Sequence, residues 1–451
     1  TIDTAGRTVF FAGLTVIIAL LGLLLLGLSF MQGASLASAL AVALVMTAAL
    51  TLLPAMLSAT GDWIDRLHLR IPGRKRRVPA PPPPDAPPGA SAAWARWAGV
   101  VQRQPVVAIV VALAVLLGLA VPALHMRLGS SDAGLDPPGT TTRTAYDLIA
   151  KSFGAGTNGE FLLAVQLPKP GDAQAAKAVA DAVARDPDVA TVAPPALSPD
   201  RQVATIVMFP KTGPQDEATT SLLTRLRDQR IPAVERATGA KVYVGGATAS
   251  QEDFTQVISD KLPLFVGVVV LFSALLLMAV FRSVFIPIKA AIMNLLSIGA
   301  ALGVITLIFQ DGFLADALGV GTGPVESFVP VMLFAIVFGL SMDYEVFLMS
   351  RTHEEWDRTG DARLAVRNGV ATTGRVITAA AAIMIVVFLS FGLGPERVIK
   401  EFGFGLAIAV FLDALVIRCL LVPAIMLFAG RAAWWLPSWL GWIPRLALER
   451  G

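Results

Sequence analysis

The segment Gly339-Leu-Ser-Met-Asp-Tyr-Glu-Val-Phe-Leu-Met-Ser-Arg351 sets a carboxylate and a phenol inside an apolar run. The helix expected here covers 327–350, and its first half is almost wholly apolar. An ionised carboxylate at bilayer depth costs roughly 2.5–3.5 kcal/mol even on lenient insertion scales. A residue kept there against that cost is a functional candidate. Asp343 can take up and return a proton as its access to water changes. Tyr344 can donate a hydrogen bond to the ionised form. Consecutive helical residues point about 100° apart, so both can face a bundle interior without sharing a direction. The plainer alternative is a carboxylate near a helix end that reaches the cytosolic interface, with Glu345 and Arg351 close behind.

Asp413 and Arg418 form a second constellation, on a later apolar run. Five residues is not the spacing at which charges meet along an α-helix. Each is therefore expected to find a partner on a neighbouring helix. A structural ion pair and a part in proton movement both stay open. Lys289 and Arg282 read as interface anchors whose charged ends reach water. Gly339, Gly403 and Gly405 permit close helix packing. The loop Gly392-Leu-Gly-Pro-Glu-Arg-Val-Ile-Lys-Glu401 has mixed charge and reads as an exposed turn. Trp434, Trp435, Trp439 and Trp442 read as an interfacial aromatic belt.

The chain has 451 residues, 55% hydrophobic and 15% charged, with a mean hydropathy of +0.68. That excludes an ordinary soluble domain and fits a polytopic membrane protein with one soluble insert. The single cysteine, Cys419, allows neither a disulfide within the chain nor a zinc site. His68, His125 and His353 are scattered without metal-ligand spacing. No phosphate-binding Gly-rich loop ending in Lys-Ser or Lys-Thr is present. The residues call for no metal, cofactor or nucleic acid, and they point away from an enzyme.

Eight apolar runs are long enough to span a bilayer: 8–31, 35–58, 105–125, 262–281, 286–310, 326–350, 374–393 and 403–429. An even count puts both termini on one side. Arg66, Arg70, Arg74, Lys75, Arg76 and Arg77 follow the second run. Arg282 and Lys289 lie between the fourth and fifth. Arg351, Arg358, Arg363, Arg367 and Arg375 follow the sixth. The excess of positive charge places these connections, and both termini, in the cytosol. Residues 1–60 hold the first two spans. Residues 61–99 are a cytosolic linker, basic and then Pro-rich over 78–92, expected to be extended. Its basic run could hold anionic headgroups. Span three covers 100–126, spans four to eight cover 260–430, and 431–451 is a Trp-rich cytosolic tail.

Residues 127–259 form a soluble insert, placed outside by the same rule. Strands are expected at Phe161–Leu167, Val189–Val192, Val203–Phe209 and Lys241–Gly245, with helices at Ala173–Arg185 and Glu217–Thr238. The order βαββαβ is that of a split ferredoxin-like unit. A helix starting within Thr248–Asp260 is expected to run on into span four.

Two distant segments match. Thr4-Ala-Gly-Arg7 and Thr372-Thr-Gly-Arg375 share a pattern, as do Leu53-Pro-Ala-Met-Leu57 and Val422-Pro-Ala-Ile-Met-Leu427. The offsets are nearly equal, so spans one and two repeat the seventh and eighth. Such repeats mark transporters built from symmetry-related halves. The chain is expected to be the carboxy-terminal two-thirds of a twelve-span protein.

These residues resemble the MMPL family (mycobacterial large membrane proteins) of the resistance-nodulation-division superfamily. The resemblance rests on Gly339–Arg351, on Phe281-Arg-Ser-Val-Phe-Ile-Pro-Ile-Lys289 and on Thr372-Thr-Gly-Arg-Val-Ile-Thr-Ala-Ala380. Phe402-Gly-Phe-Gly-Leu-Ala-Ile-Ala-Val-Phe-Leu-Asp413 and Tyr146-Asp-Leu-Ile-Ala-Lys-Ser-Phe-Gly154 carry it too. It implies a porter-type insert and proton-driven export of lipids or other hydrophobic compounds, drugs included, across the plasma membrane. It also implies an Asp-Tyr pair on the central helix of each half. Asp343 and Tyr344 match the second pair, Asp413 is a family position, and Arg418 joins them in the proposed relay. No segment matches the first pair. Ala12 is apolar where relatives often carry a small hydroxyl. The expected partners are the bilayer, a lipid or hydrophobic substrate, and a missing first half or a second copy. The alternatives are a protein-translocation accessory of the same superfamily and a scaffold that needs its first half.

Overall fold

The computed structural model describes residues 6–60 and 90–440. The basic run after span two, most of the Pro-rich linker and Trp442 lie outside the described residues, as do the side chains of Ala12 and Trp439.

Among the described residues, eight helical stretches are long and apolar enough to cross a membrane. The first is α1 (Arg7–Gly22) with a 3-10 turn Leu23–Leu26. Gly27, with φ of 70°, turns the chain into α2 (Ser29–Thr60). The reversal therefore comes a few residues earlier than the apolar pattern places it. Its cause is a left-handed backbone that glycine adopts at no steric cost.

After the linker the chain forms a helix that the sequence reading missed. Helix α3 (Ala92–Arg103) buries Ala95, Ala98 and Val101. It ends at Gln104, and Pro105 opens α4 (Pro105–Ala120). Part of the supposed linker, residues 92–99, is thus helical. Its three-to-four-residue apolar period was short and interrupted by Arg96, which hid it.

Strand β1 (Leu128–Gly129) leads into the insert, where α5 (Thr141–Phe153) precedes β2 (Phe161–Gln166). Then come α6 (Ala173–Ala184), β3 (Val189–Val192), β4 (Ala196–Leu197) and β5 (Val203–Pro210). Helices α7 (Glu217–Arg225) and α8 (Ile231–Thr238) are joined by a π turn, and β6 (Lys241–Gly245) closes the unit. The sheet order is β3-β5-β2-β6, with β4 also on β5. Both β5 and β6 run antiparallel to β2. Alternation along β2 sends Phe161, Leu163 and Val165 inward. They meet Ile206 and Met208 of β5 and Val179, Val183, Leu222 and Leu226 of the helices.

From the insert, α9 (Ala247–Phe281) runs unbroken through Pro263 into the fourth span. It is followed by α10 (Phe285–Ile305), the short α11 (Ala315–Leu318), β7 (Val325–Glu326) and α12 (Val329–Thr359). The last spans are α13 (Ala362–Phe391) and α14 (Arg397–Phe411), the latter continued by a π-helix over Leu412–Leu421 and by α15 (Val422–Ala429). Helix α12 is the centre of the bundle, packed by α1 on one side and α13 on another. A Cβ on Gly339 would stand 3.0 Å from the Val16 Cα, so glycine lets α1 sit this close without a shift. Near the C-terminal end of α12 Trp434 meets the His353 ring edge to face at 4.6 Å.

At the other end of α12 the segment 392–401 divides: its turn is exposed as expected, with Leu393, Pro395 and Glu396 at the surface, but charged residues of its helical half are folded in. Arg397 is 5% exposed, Lys400 7% and Glu401 0%. Arg397 donates to the carbonyls of Phe309, Gly321, Gly323 and Pro324, to Ser131 Oγ at 2.9 Å, and pairs with Glu401 at 2.5 Å. Glu401 accepts from the Glu326 amide, and Glu326 accepts from the Ser131 amide. Parallel pairing of β1 with β7 completes this seam between the insert and the bundle. Charge made the segment look solvated, but Phe309 and the irregular backbone of 321–324 supply carbonyls that a guanidinium fork can bridge. Arg397→Leu should therefore leave Glu401 buried without its cation and cost about 3–5 kcal/mol. Arg397→Lys should recover only part, because one ammonium cannot span the same carbonyls. Thermal unfolding of both variants is the check, and an unchanged midpoint for Arg397→Leu would count against the seam.

Candidate functional site

Four charged side chains converge inside the bundle. Lys289 on α10 is 4% exposed, Glu345 on α12 0%, and Asp413 and Arg418 on the π-helix 2% and 1%. Lys289 Nζ lies 2.6 Å from Glu345 Oε1. Arg418 pairs with the other Glu345 oxygen and, 3.3 Å away, with Asp413. Ser341 Oγ lies 2.8 Å from Asp413 and 2.6 Å from Asn294 Oδ1. Arg418 Nη2 donates to the Ser341 carbonyl and hydroxyl, both at 2.7 Å. Three helical elements thus place six polar side chains in one buried site.

Two expectations are corrected here. Lys289 is not an interface anchor: it is buried and paired with Glu345. Arg282, at the turn before α10, is half-buried. Asp413 and Arg418 do meet directly, although five residues separate them. The helix between them is a π-helix, which bonds i to i+5 and so faces residues five apart. Wider turns of this kind are rare and concentrate at functional positions.

Asp343 stands beside this cluster rather than in it. It is half-buried on α12, and its Oδ1 is buried without a hydrogen-bond partner among the described residues. Tyr344 is 9% exposed. Its hydroxyl lies 3.4 Å from Met384 Sδ on α13, not on Asp343. The assigned Tyr344–Asp343 hydrogen bond is therefore absent from this structure. Adjacent positions on a helix diverge too far for it.

The MMPL family model matches residues 1–108 and 134–446. The chain belongs to the MMPL family. It is 35% identical over 454 residues to "Heme uptake protein MmpL11" of Mycobacterium tuberculosis (strain ATCC 25618 / H37Rv), covering 99% of this chain and 46% of the relative. It is 34% identical over 454 residues to "Mycolic acid-containing lipids exporter MmpL11" of Mycolicibacterium smegmatis (strain ATCC 700084 / mc(2)155), with the same coverage. Its fold is similar to a crystal structure of a heavy metal efflux pump, at a TM-score of 0.55 and 12% identity, over 95% of this chain and 59% of that one. The chain spans about half the length of the curated relatives it matches, from 43% to 60%. It is a multi-pass membrane protein.

Of the residues singled out in this MMPL chain, Asp413 and Arg418 are brought together, and Asp343 and Tyr344 flank them. Lys289, Glu345, Ser341 and Asn294 were missed as site residues. Glu345 lies in the same motif as Asp343, and Ser341 precedes Glu345 by four, so the two share a helix face. That spacing was the available signal. Nothing local marks Lys289 as buried, because its partner lies 56 residues away.

Proposed function

We propose that the whole protein of which this chain is part exports lipids or other hydrophobic compounds across the plasma membrane, driven by protons. On this reading it is a secondary transporter of the resistance-nodulation-division type and not an enzyme. One observation carries the proton part. Two basic groups, Lys289 and Arg418, face two acidic ones, Glu345 and Asp413, so the formal charges of the quartet balance. Asp343 is then the odd carboxylate, with no cation paired to it among the described residues. A proton on Asp343 removes a charge that nothing nearby balances, and losing it restores that charge, so water access from one side or the other can drive rearrangement. The quartet holds α10, α12 and the π-helix in one arrangement against which Asp343 acts. Lipid as substrate is supported by the likeness to the mycolic acid-containing lipids exporter of Mycolicibacterium smegmatis.

The insert is a ferredoxin-like porter domain on the extracytoplasmic side in this reading, and both termini are cytosolic. A preceding half, or a second copy, covers the outward face of α2, where Leu36, Leu40, Leu44 and Val45 are exposed. The test is reconstitution of the whole protein in vesicles with an imposed pH gradient and a fluorescent lipid. Lipid should move only with the gradient, and protons should move with it. A cysteine introduced by Asp181→Cys should react from the extracytoplasmic side. Gradient-independent lipid movement would overturn the proton coupling. Protons moving only with a non-lipid cargo would overturn the substrate class. Labelling of position 181 from the cytosolic side would overturn the topology.

A further inference from the structure

The carbonyl of Cys419 sits at a weak point of the π-helix. The Val422 amide donates to Ile417 O and Pro423 has no N–H, so where the π-helix gives way to α15 the carbonyls of Arg418, Cys419 and Leu420 have only the Ala424 amide between them. A buried helix carbonyl left without a backbone donor needs another partner, and Cys419 is 4% exposed. Here the partner comes from the other end of the chain. The indole Nε1–H of Trp97 on α3 donates to Cys419 O at 2.7 Å, across 322 residues. The donor is held firmly. The Ser91 amide donates to Ala371 O at 2.9 Å, and Gln102 Nε2 to Arg363 O at 2.7 Å, tying both ends of α3 to α13. Trp94 fills the space over Gly374, and Val101 packs with Ala108 and Ala424. The carbonyl that Trp97 holds belongs to the residue next to Arg418, which reaches both Glu345 and Asp413.

We propose that Trp97 is a positioning residue for the buried charge cluster. Its indole N–H stands in for the donor that Pro423 lacks. It thereby fixes the π register that aims Arg418 between Glu345 and Asp413. The cytosolic helix α3 is then a mechanical part of the membrane site. The structural half of this inference is independent of the proposed transport, and its consequence for turnover rests on that reading.

The test is a double-mutant cycle in the whole protein. Trp97→Phe removes the N–H and keeps an aromatic ring. Pro423→Ala restores a backbone donor four residues beyond Cys419. The first readout is the rate at which N-ethylmaleimide modifies Cys419, which is 4% exposed, followed by mass spectrometry. Trp97→Phe should speed this about tenfold, the weight of one net hydrogen bond, ~1.4 kcal/mol. In the Pro423→Ala background the same change should have less than a twofold effect. The second readout is proton-driven transport: Trp97→Phe should lower the maximal rate about tenfold with KM unchanged, again only where Pro423 is present. An equal effect of Trp97→Phe in both backgrounds would show that the ring acts by packing, and would overturn the inference. A wild-type rate of Cys419 modification in Trp97→Phe would overturn it too. Should the wild type show no proton-driven transport while the Cys419 cycle holds, the functional reading falls and the tether stands.

Discussion

Asp343→Asn is expected to bring proton-driven transport by the whole protein to background while expression, insertion and thermal stability stay at wild-type level. The amide is nearly the size of the carboxyl and cannot ionise. Stability should survive because Asp343 makes no ion pair among the described residues, and its Oδ1 has no hydrogen bond to lose. This separates it from the neighbouring charges, whose removal should damage the fold. Energisation is measured in vesicles with an imposed pH gradient, and folding by thermal unfolding. Retained pH-dependent transport by a correctly inserted Asp343→Asn protein would remove Asp343 from the proton path.

Arg418→Met should do the opposite and destabilise the bundle itself. The guanidinium is 1% exposed and bridges Glu345, Asp413 and the Ser341 carbonyl. Without it, two buried carboxylates share only Lys289. Breaking a buried pair by removing one partner costs about 3–5 kcal/mol. The midpoint of thermal unfolding should fall accordingly. Removing a carboxylate as well, in Arg418→Met/Glu345→Gln, should win back a good part of it, because fewer charges stay unpaired. A stable Arg418→Met protein would mean that the site is wet and that the quartet contributes little.

The amino-acid sequence by itself determined the membrane character, the places of the long apolar helices, the insert between the third and fourth of them, and Asp343 as a residue out of keeping with its helix. Each of these is a local property. Hydropathy sums over about 20 neighbours decide whether a helix can cross a bilayer, and a single carboxylate in such a run is conspicuous without any partner. The strands of the insert were legible for the same reason, since side-chain alternation is written residue by residue. What the tertiary structure decided was which charges are buried and whom they meet. Lys289 looks like an interface residue until Glu345 comes to face it, and Arg397 like a loop residue until the carbonyls of Phe309, Gly321, Gly323 and Pro324 close on it. Asp413 and Arg418 look mismatched until the helix between them widens to a π-helix. Trp97 looks like an aromatic in a linker until Pro423 leaves a carbonyl for it to hold. A charge is tolerated in a dry interior only when its counter-charge or donor arrives from elsewhere in the chain. That arrival is a matter of packing over tens or hundreds of residues, which no local pattern records.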